Sequence, residues 1–288
     1  PVETLTAETG WHQGAVAPGG AWMVVVEEHP DQPPEATLRD GAGTLQATLL
    51  ANRLSDADHA YAPYLATRAT PELGQLPGED GQPLCYRLTK PEGDGPFPVI
   101  LAVYGGPGAQ RVTQGWPPLL HQVFVQHGWA VLELDNRGSA GRGEAFERPI
   151  YRTFGEVEVR DQFRALDAFA EAPWFDGSRV AVFGHSYGGF MALRCLAAAP
   201  ERFRAAVSVA PVTDWHLYDT HYTERYLGTP EENPEGYARS GVMPYLAGLG
   251  KAPGALLLVH GMADDNVLFT HSTRLMAALQ KAAIPFEM

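Results

Sequence analysis

Hydrophobic and polar residues follow two different patterns along the chain. Up to about residue 52, short apolar stretches alternate with turn sequences such as Pro18-Gly19-Gly20 and Asp40-Gly41, a pattern typical of antiparallel strands joined by tight turns. It predicts four strands, at residues 11–17, 21–29, 35–39 and 44–50. Such a unit cannot bury both of its faces alone and should need neighbours. The adjacent Glu27 and Glu28 are expected to point into solvent.

The second pattern alternates strands with helices and begins near residue 97. Continuous apolar runs predict strands at 99–104, 130–134, 179–183, 205–209 and 256–260, with helices between them at 119–127, 157–170, 187–199 and 270–283. Unbroken apolar runs are typical of parallel strands that helices cover on both faces. A hairpin at 72–78 and 84–90 precedes this region, and an excursion rich in aromatic residues, at 211–251, interrupts it. The predicted fold class is therefore α/β, preceded by a small antiparallel sheet.

The charge balance excludes one class of partner. The chain has 21 basic and 34 acidic residues, a formal net charge of −13, whereas phosphate backbones and anionic membranes require a basic surface. Nucleic acid is therefore not a predicted partner. No zinc-protease motif, phosphate loop or dinucleotide fingerprint occurs, so no metal and no cofactor is predicted. The two cysteines say little about the compartment; it stays open, with a periplasmic or secreted location favoured over a cytoplasmic one.

The sharpest motif is Gly184-His185-Ser186-Tyr187-Gly188, which follows a predicted strand and precedes a predicted helix. In this context the glycines allow a strained turn that holds the serine hydroxyl outward. The N-terminus of the following helix also favours negative charge at this point. Ser186 is therefore predicted to be a catalytic nucleophile.

A serine nucleophile needs a base and a carboxylate that orients the base. In hydrolases with this turn, the order along the chain is serine, acid and histidine. Asp264 and Asp265 both follow a later strand, and the residues alone leave either one open as the acid. The histidine should come after one more helix and strand, but the sequence stops at Met288 and none of its ten histidines lies there. The triad is expected to be incomplete in this chain, which is therefore predicted to be inactive.

An oxyanion intermediate needs hydrogen-bond donors. The backbone N–H of Tyr187, next to the nucleophile, is one candidate. The second should come from the loop after the strand at 99–104, where Tyr104 precedes Gly105-Gly106-Pro107-Gly108 and its hydroxyl can donate.

Three charged residues are assigned a structural role. Arg137 follows a strand in the tight loop LDNRGS, and Glu158 and Asp161 lie on the next predicted helix. Replacing Arg137 by methionine is expected to lower stability more than it changes the catalytic constant of a complete enzyme.

Several long motifs together resemble those of the prolyl oligopeptidase family of serine peptidases. They are VYGGPGAQ (103–110), LDNRGSAGRG (134–143), GHSYGG (184–189) and HGMADDNV (260–267). DWHLYDTHYTERYLGTPEENPEGY (214–237) resembles specifically the dipeptidyl peptidase IV branch, and HPDQPPEATLRD (29–40) is similar to the last blade of that family's β-propeller. The likeness covers nearly the whole chain.

The resemblance implies two domains. Residues 1–52 would be the C-terminal remnant of a β-propeller, a four-stranded antiparallel fragment. Residues 53–288 would form a peptidase domain with the α/β-hydrolase fold, a mostly parallel sheet flanked by helices, incomplete at its C-terminus.

The resemblance also implies the site. Ser186 would be the nucleophile, Asp264, the first of the pair, the triad acid, and Tyr104 with the Tyr187 amide the oxyanion hole. The residues that would surround the pocket for the substrate residue before the cleaved bond are Tyr187, Val212, Trp215, Tyr218, Tyr222, Asn266 and Val267. An aromatic box with a hydrophobic floor suits the flat, rigid ring of proline.

The implied activity is that of a serine peptidase releasing N-terminal Xaa-Pro or Xaa-Ala dipeptides through an acyl-enzyme on Ser186. The implied partners are peptides with proline at the second position, and a homodimer is left open. Two alternatives remain: a prolyl oligopeptidase or acylaminoacyl peptidase of the same family, and a hydrolase-fold protein that binds peptides without cleaving them. A histidine after the last strand would favour an enzyme, and paired glutamates in a propeller would favour a dipeptidyl peptidase.

Overall fold

The chain forms two β-sheets with different strand arrangements. The computed structural model describes residues 4–6, 8–252 and 254–288. The chain divides into a first unit, Pro1–Glu72 with Thr113–His127, and a second unit, Leu73–Val112 with Gly128–Met288. The domain boundary predicted after residue 52 lies inside the first unit. As a division between a propeller remnant and a peptidase domain, it stays a prediction.

The sheet of the first unit has four antiparallel strands in sequence order: β1 (Trp11–Val16), β2 (Trp22–His29), β3 (Gln32–Asp40) and β4 (Leu45–Leu50). At the predicted Asp40-Gly41 turn, one Asp40 carboxylate oxygen accepts hydrogen bonds from the N–H groups of Ala42 (3.0 Å) and Thr44 (2.9 Å). Strand β3 begins earlier than predicted and includes Pro33 and Pro34. Prolines are tolerated at a strand start or a bulge, and the register between β2 and β3 shifts next to them.

The rest of the first unit contains a 3₁₀ turn, Ala62–Thr67, and helix α1, Leu119–Gln126. The Gln122 amide pairs with the backbone of Ala69, accepting from its N–H (2.9 Å) and donating to its carbonyl (2.8 Å). These two reciprocal hydrogen bonds have the same pattern as those between neighbouring β-strands. They hold the helix against the segment after the 3₁₀ turn.

The expectation that Glu27 and Glu28 point into solvent is wrong. Glu27 accepts a hydrogen bond from Arg39 Nη2 at 2.9 Å, and Glu28 Oε2 accepts one from the N–H of Trp116 at 3.1 Å. Each carboxylate therefore has a donor that lies far from it in the sequence, and which the alternation of apolar residues does not reveal.

The second unit is built on a seven-stranded sheet with the order β11-β10-β9-β7-β8-β6-β5. Its strands are β5 (Glu72–Pro77), β6 (Pro83–Thr89), β7 (Phe97–Val103), β8 (Ala130–Leu134), β9 (Phe175–His185), β10 (Ala205–Val209) and β11 (Ala255–Val259). Strands β7 to β11 run parallel, and β6 pairs antiparallel with β8. The strand predicted near Phe286 appears as a single parallel bridge between Leu257 and Glu287.

Seven helices accompany this sheet among the described residues: α2 (Glu144–Glu147), α3 (Val157–Phe169), α4 (Tyr187–Ala198), α5 (Thr220–Leu227), α6 (Pro234–Ser240), α7 (Leu246–Leu249) and α8 (Thr270–Lys281). Short 3₁₀ turns occur at Arg148–Ile150, Pro200–Arg202, Trp215–Leu217 and Met243–Tyr245. The predicted excursion contains α5, α6 and α7.

The core of the second unit lies between the central strands and the helices that cover them. Leu101 and Leu132, on β7 and β8, and Phe190 on α4 are fully buried, and each such side chain contributes about 1.5–3 kcal/mol through burial. Because the strands are parallel, their carboxyl ends meet at one edge of the sheet, where ligands of such sheets bind.

Candidate active site

Ser186 lies at the turn between β9 and α4. Its backbone has φ 61° and ψ −120°, a conformation that only glycine adopts without strain. The Ser186 N–H donates to the Val209 carbonyl at 2.8 Å, and its carbonyl accepts from the Phe190 N–H at 3.1 Å. The surrounding backbone therefore holds the serine in a strained position, as predicted for a nucleophile.

The glycines of the motif are required by close packing. A Cβ atom added at Gly184 would overlap the Gly188 carbonyl oxygen, and one at Gly188 would overlap the Val103 carbonyl oxygen. At Gly189 it would lie 2.5 Å from the Val209 carbonyl oxygen. Any larger residue at these positions would push the turn away from strands β7 and β10.

The rings of the two residues that are predicted to supply oxyanion donors lie near each other. Tyr104 directly follows β7, and the centre of its ring is 6.1 Å from that of Tyr187. Tyr187 is the first residue of α4, and N–H groups in the first turn of a helix have no acceptor within the helix. Burial raises the pKa of the Tyr104 hydroxyl, which therefore stays protonated and able to donate at neutral pH.

Asp264 and Asp265 have different surroundings. One carboxylate oxygen of Asp264 accepts hydrogen bonds from the N–H groups of Asn266 (3.0 Å) and Val267 (2.9 Å). Asp264 is partly buried, whereas Asp265 is exposed. A carboxylate fixed by two amides suits the orienting role of a triad acid, which supports Asp264.

Two histidines near the acid loop are buried, and their rings contact other groups of the protein. His260 Nε2 lies 2.7 Å from the Val267 carbonyl oxygen and 3.6 Å from Asp264 Oδ2, and its Nδ1 lies 2.6 Å from Ser272 Oγ. Buried His271 accepts a hydrogen bond from the Thr213 N–H at Nδ1, and burial lowers its pKa to about 4. Within the described ranges, no hydrogen bond joins the Ser186 hydroxyl to an imidazole.

Aromatic rings from the excursion form a cluster next to the serine. The Trp215 ring is buried and stacks on Tyr222, with centres 6.4 Å apart and planes 16° apart. Tyr218 meets Tyr222 edge-on at 5.5 Å. Tyr187 joins the cluster through Trp215, whose ring centre is 5.4 Å away.

The cluster is bonded to the acid loop. The Tyr218 hydroxyl donates to Asn266 Oδ1 at 2.9 Å, and buried Val267 directly follows that asparagine. Val212, also buried, lies three residues before Trp215. The structure thus joins the predicted pocket residues Tyr187, Trp215, Tyr218, Tyr222 and Asn266 by direct contacts.

Sequence reasoning missed two aromatic neighbours of this cluster. Tyr226 lies 5.2 Å from Tyr222, and Phe154 lies 4.7 Å from Trp215, measured between ring centres. The spacing of tyrosines at 218, 222 and 226 follows one helical face and could have identified Tyr226. A groove of about 360 Å³ lies beside it, lined also by Glu144, Glu147, Arg148, Ile150 and Tyr151.

Neither a metal-binding cluster nor a membrane-spanning helix occurs in the part of the chain that the structure describes. No group of three or more histidine, cysteine, aspartate or glutamate side chains there could hold a metal ion. None of the described helices is long and apolar enough to cross a membrane.

Known proteins resemble this chain in sequence and in fold. The sequence profile of the prolyl oligopeptidase family matches residues 119–288. Dipeptidyl peptidase 8 of Mus musculus and that of Homo sapiens are each 36% identical over 225 residues, which is 76% of this chain and 25% of the relative. The solved structure of Porphyromonas gingivalis dipeptidyl peptidase 4 has a TM-score of 0.87 and 29% identity, covering 99% of this chain and 40% of that one.

The chain thus spans about a quarter of the length of the curated relatives it matches. The structural likeness confirms the predicted fold class, an α/β-hydrolase fold preceded by a four-stranded fragment of a β-propeller. This protein belongs to the prolyl oligopeptidase family and, within it, to the dipeptidyl peptidase IV branch.

Proposed function

We propose that this chain carries the nucleophile and the acid of a serine dipeptidyl peptidase that releases Xaa-Pro, or Xaa-Ala, dipeptides from peptide N-termini. The observation that carries the proposal is the strained turn at Ser186, which continues directly into Tyr187 of the aromatic cluster. Nucleophile and pocket are therefore built from consecutive residues of one chain segment.

In the proposed reaction, the Ser186 hydroxyl attacks the carbonyl carbon of the second substrate residue while a base accepts its proton. The Tyr187 N–H and the Tyr104 hydroxyl donate to the oxyanion that develops. The base then gives its proton to the leaving amine, and water hydrolyses the acyl-enzyme. Asp264 would orient the base through the carboxylate oxygen that does not accept from Asn266 and Val267.

The proposed substrate preference follows from the shape of the cluster. Trp215 and Tyr222 lie nearly parallel, and Tyr218 stands perpendicular to Tyr222. Flat walls at right angles fit a rigid pyrrolidine ring, which loses little conformational entropy on binding. Alanine would fill the same space less completely and bind more weakly.

We propose that the base and the groups that bind the substrate's free amino terminus belong to the remainder of the protein. His260 and His271, which lie next to the acid loop in the sequence, are buried; both ring nitrogens of His260 contact hydrogen-bonding groups, and His271 Nδ1 accepts from the Thr213 N–H. The 288-residue chain by itself is therefore expected to be inactive.

The test compares this chain with the full-length protein on a Gly-Pro chromogenic amide. Without the base, the chain should keep only the acceleration of about 10³–10⁴ over water that the oxyanion hole and substrate binding supply. Its kcat should be about a millionfold below that of a whole triad. The full-length protein should cleave the amide and react with a fluorophosphonate. Cleavage at parental rates by the short chain would show that one of its own histidines is the base.

Variants of the full-length protein test the residue roles. Ser186→Ala should abolish both cleavage and labelling. Asp264→Asn should lower kcat by about 10⁴-fold, as in other triads whose acid is neutralised. The matched control, Asp265→Asn, changes an exposed neighbour and should cost much less. Equal losses at the two positions would contradict the assignment of the acid.

The substrate class is tested separately with an N-terminally blocked peptide. A dipeptidyl peptidase should require the free amino group and leave this peptide intact. Cleavage of the blocked peptide after an internal proline would instead identify an oligopeptidase of the same family.

A further inference from the structure

A fully buried carboxylate lies behind the aromatic cluster. Glu158, in the first turn of α3, has no solvent-exposed surface. Its Oε1 accepts from the Gly155 N–H at 2.8 Å, and its Oε2 accepts from the Glu156 N–H at 3.1 Å. These two amides at the start of the helix orient the carboxylate and favour its negative charge.

The third donor to this carboxylate is a residue of the site. The Tyr187 hydroxyl donates to Glu158 Oε1 at 2.7 Å. Burial, together with the adjacent Glu158 carboxylate, raises the pKa of Tyr187 well above its usual value, so the hydroxyl keeps its proton and remains the donor. A short bond of this kind to a charged acceptor is stronger than one between neutral groups.

The Tyr187 ring is held on its other sides by packing alone. Phe154 and Phe190 meet it edge-on, with ring centres 5.4 Å and 5.3 Å away. A Cβ added at Gly106 would lie 2.6 Å from its Cγ, so the loop after β7 presses against the ring. The hydroxyl bond to Glu158 is therefore the one polar contact that the structure shows for this side chain.

The surroundings of Glu158 oppose the effect of burial, which raises the pKa of this carboxyl. Arg194 is buried, and its Nη1 donates to the carbonyls of Arg239 (2.9 Å) and Gly241 (3.3 Å). A Cβ at Gly155 would lie 2.9 Å from the same nitrogen, which places the guanidinium beside the loop that binds Glu158. The carboxylate thus has three hydrogen-bond donors and a nearby cation.

We propose that Glu158 is a positioning residue that sets the substrate preference. By accepting a hydrogen bond from the Tyr187 hydroxyl, it fixes that ring as a wall of the pocket for proline. The inference deepens the proposed function and rests on it. Since Tyr187 also supplies an oxyanion donor through its N–H, a displaced ring would disturb the turn next to Ser186 as well.

The experiment is a double-mutant cycle in the full-length protein with Tyr187→Phe, Glu158→Gln and both together. Each variant is assayed on Gly-Pro and Gly-Ala chromogenic amides. Each single change should lower kcat/KM for the proline substrate by about tenfold, and by a smaller factor for the alanine substrate. The double variant should lose little more than Tyr187→Phe alone, because Tyr187→Phe removes the hydrogen bond that Glu158→Gln weakens by making its acceptor neutral.

The matched control is Tyr237→Phe. Tyr237 is also buried, and its hydroxyl donates to the Gly228 carbonyl at 2.9 Å, but it lies outside the proposed pocket. This variant should lose thermal stability as Tyr187→Phe does, while its preference for proline over alanine stays that of the wild type. Losses that multiply in the double variant, or a proline-to-alanine ratio unchanged in both single variants, would overturn the proposal.

Labelling by a fluorophosphonate separates this proposal from the proposed function. If the wild-type protein reacts with the probe but cleaves neither amide, the proposed substrate class is wrong. The cycle is then judged on labelling rates, where the two single variants and the double variant should be slowed by a similar factor. Multiplying effects on labelling would overturn the role of Glu158, and an unlabelled wild type would overturn both proposals.

Discussion

The two sheets of this chain bury their strands in opposite ways. In the first unit, β4 is exposed along its whole length, and the buried apolar residues among the described strands of this sheet are Met23 and Val25 of β2 and Pro33 of β3. In the second unit, β8 is buried at every position. The difference matches the sequence, which alternates in the first region and is continuously apolar in the second.

Exposed side chains make the contrast sharper. Val16, Leu45, Leu49 and Leu50 of the first sheet are all more than half exposed, and apolar surface of this kind is typical of a face that contacts another part of a protein. The second sheet holds its apolar residues in a continuous core. The comparison teaches that, among the described residues, the second sheet is the one whose continuous core supports the strained turn at Ser186.

The largest expected effect comes from adding one methyl group to each unit. Gly188→Ala in the second unit would bring its Cβ into the Val103 carbonyl oxygen and should cost more than about 4 kcal/mol of unfolding free energy. Gly14→Ala in β1 would meet only the Val24 carbonyl oxygen, at 4.0 Å, and should change stability by less than about 0.5 kcal/mol. Denaturant unfolding of both variants measures this. A Gly14 variant as unstable as the Gly188 variant would refute the contrast.

The next effect compares a buried ion pair with an exposed one. Arg137 and Asp161 in the second unit are almost fully buried, with Nη2 and Oδ1 2.6 Å apart. Arg137→Met should cost about 3–5 kcal/mol because it leaves a buried, unpaired carboxylate. Arg53→Met, in the first unit, removes an ion pair with an N–O distance of 3.9 Å whose arginine is exposed. This change should cost less than about 1 kcal/mol of unfolding free energy.

Kinetic measurements on the full-length Arg137→Met protein test whether Arg137 has a structural role, as the sequence predicts. The loss should appear in the melting temperature, while kcat per folded molecule changes by a smaller factor. Normal stability with abolished turnover would place Arg137 in the chemistry instead.

The smallest effect concerns pH and a buried histidine. The folded pKa of His271 is about 4 because burial disfavours its charged form, whereas an unfolded histidine has a pKa of about 6.5. As pH falls between these values, the unfolded state takes up a proton that the folded state does not. Stability should therefore decrease by up to about 3 kcal/mol.

His271→Gln should flatten the pH profile of unfolding in that interval, measured between pH 7 and pH 4. His29→Gln, at an exposed position of the first sheet, should leave the slope as in the wild type. Parallel profiles for wild type and His271→Gln would show that another group is responsible.

The sequence predicted what depends on local pattern. Continuous apolar runs located β7, β8 and β10 to within a residue or two, and the glycines around Ser186 predicted the strained turn. The resemblance to a family, rather than chemistry, supplied pocket residues such as Trp215, because a single aromatic residue is as typical of a core as of a pocket.

Long-range partners could not be predicted. The bond between Glu158 and Tyr187 joins residues 29 positions apart, and that between Glu28 and Trp116 joins residues 88 apart. Periodicity indicates which face of an element is buried but not which residue lies opposite. The sequence likewise does not distinguish the aspartates at 264 and 265; in the structure, burial and the backbone amides of the loop make their surroundings different.

The conformation of Ser186 has one more consequence. Its location is set by main-chain geometry, through the Val209 carbonyl and the glycines on either side, and not by contacts of its own hydroxyl. The backbone therefore sets the position of the side chain at residue 186, and that side chain can be exchanged. The Cβ of a cysteine or an alanine there would occupy the same point in space, so the fold can lose or change its chemistry while the surface around residue 186 is kept.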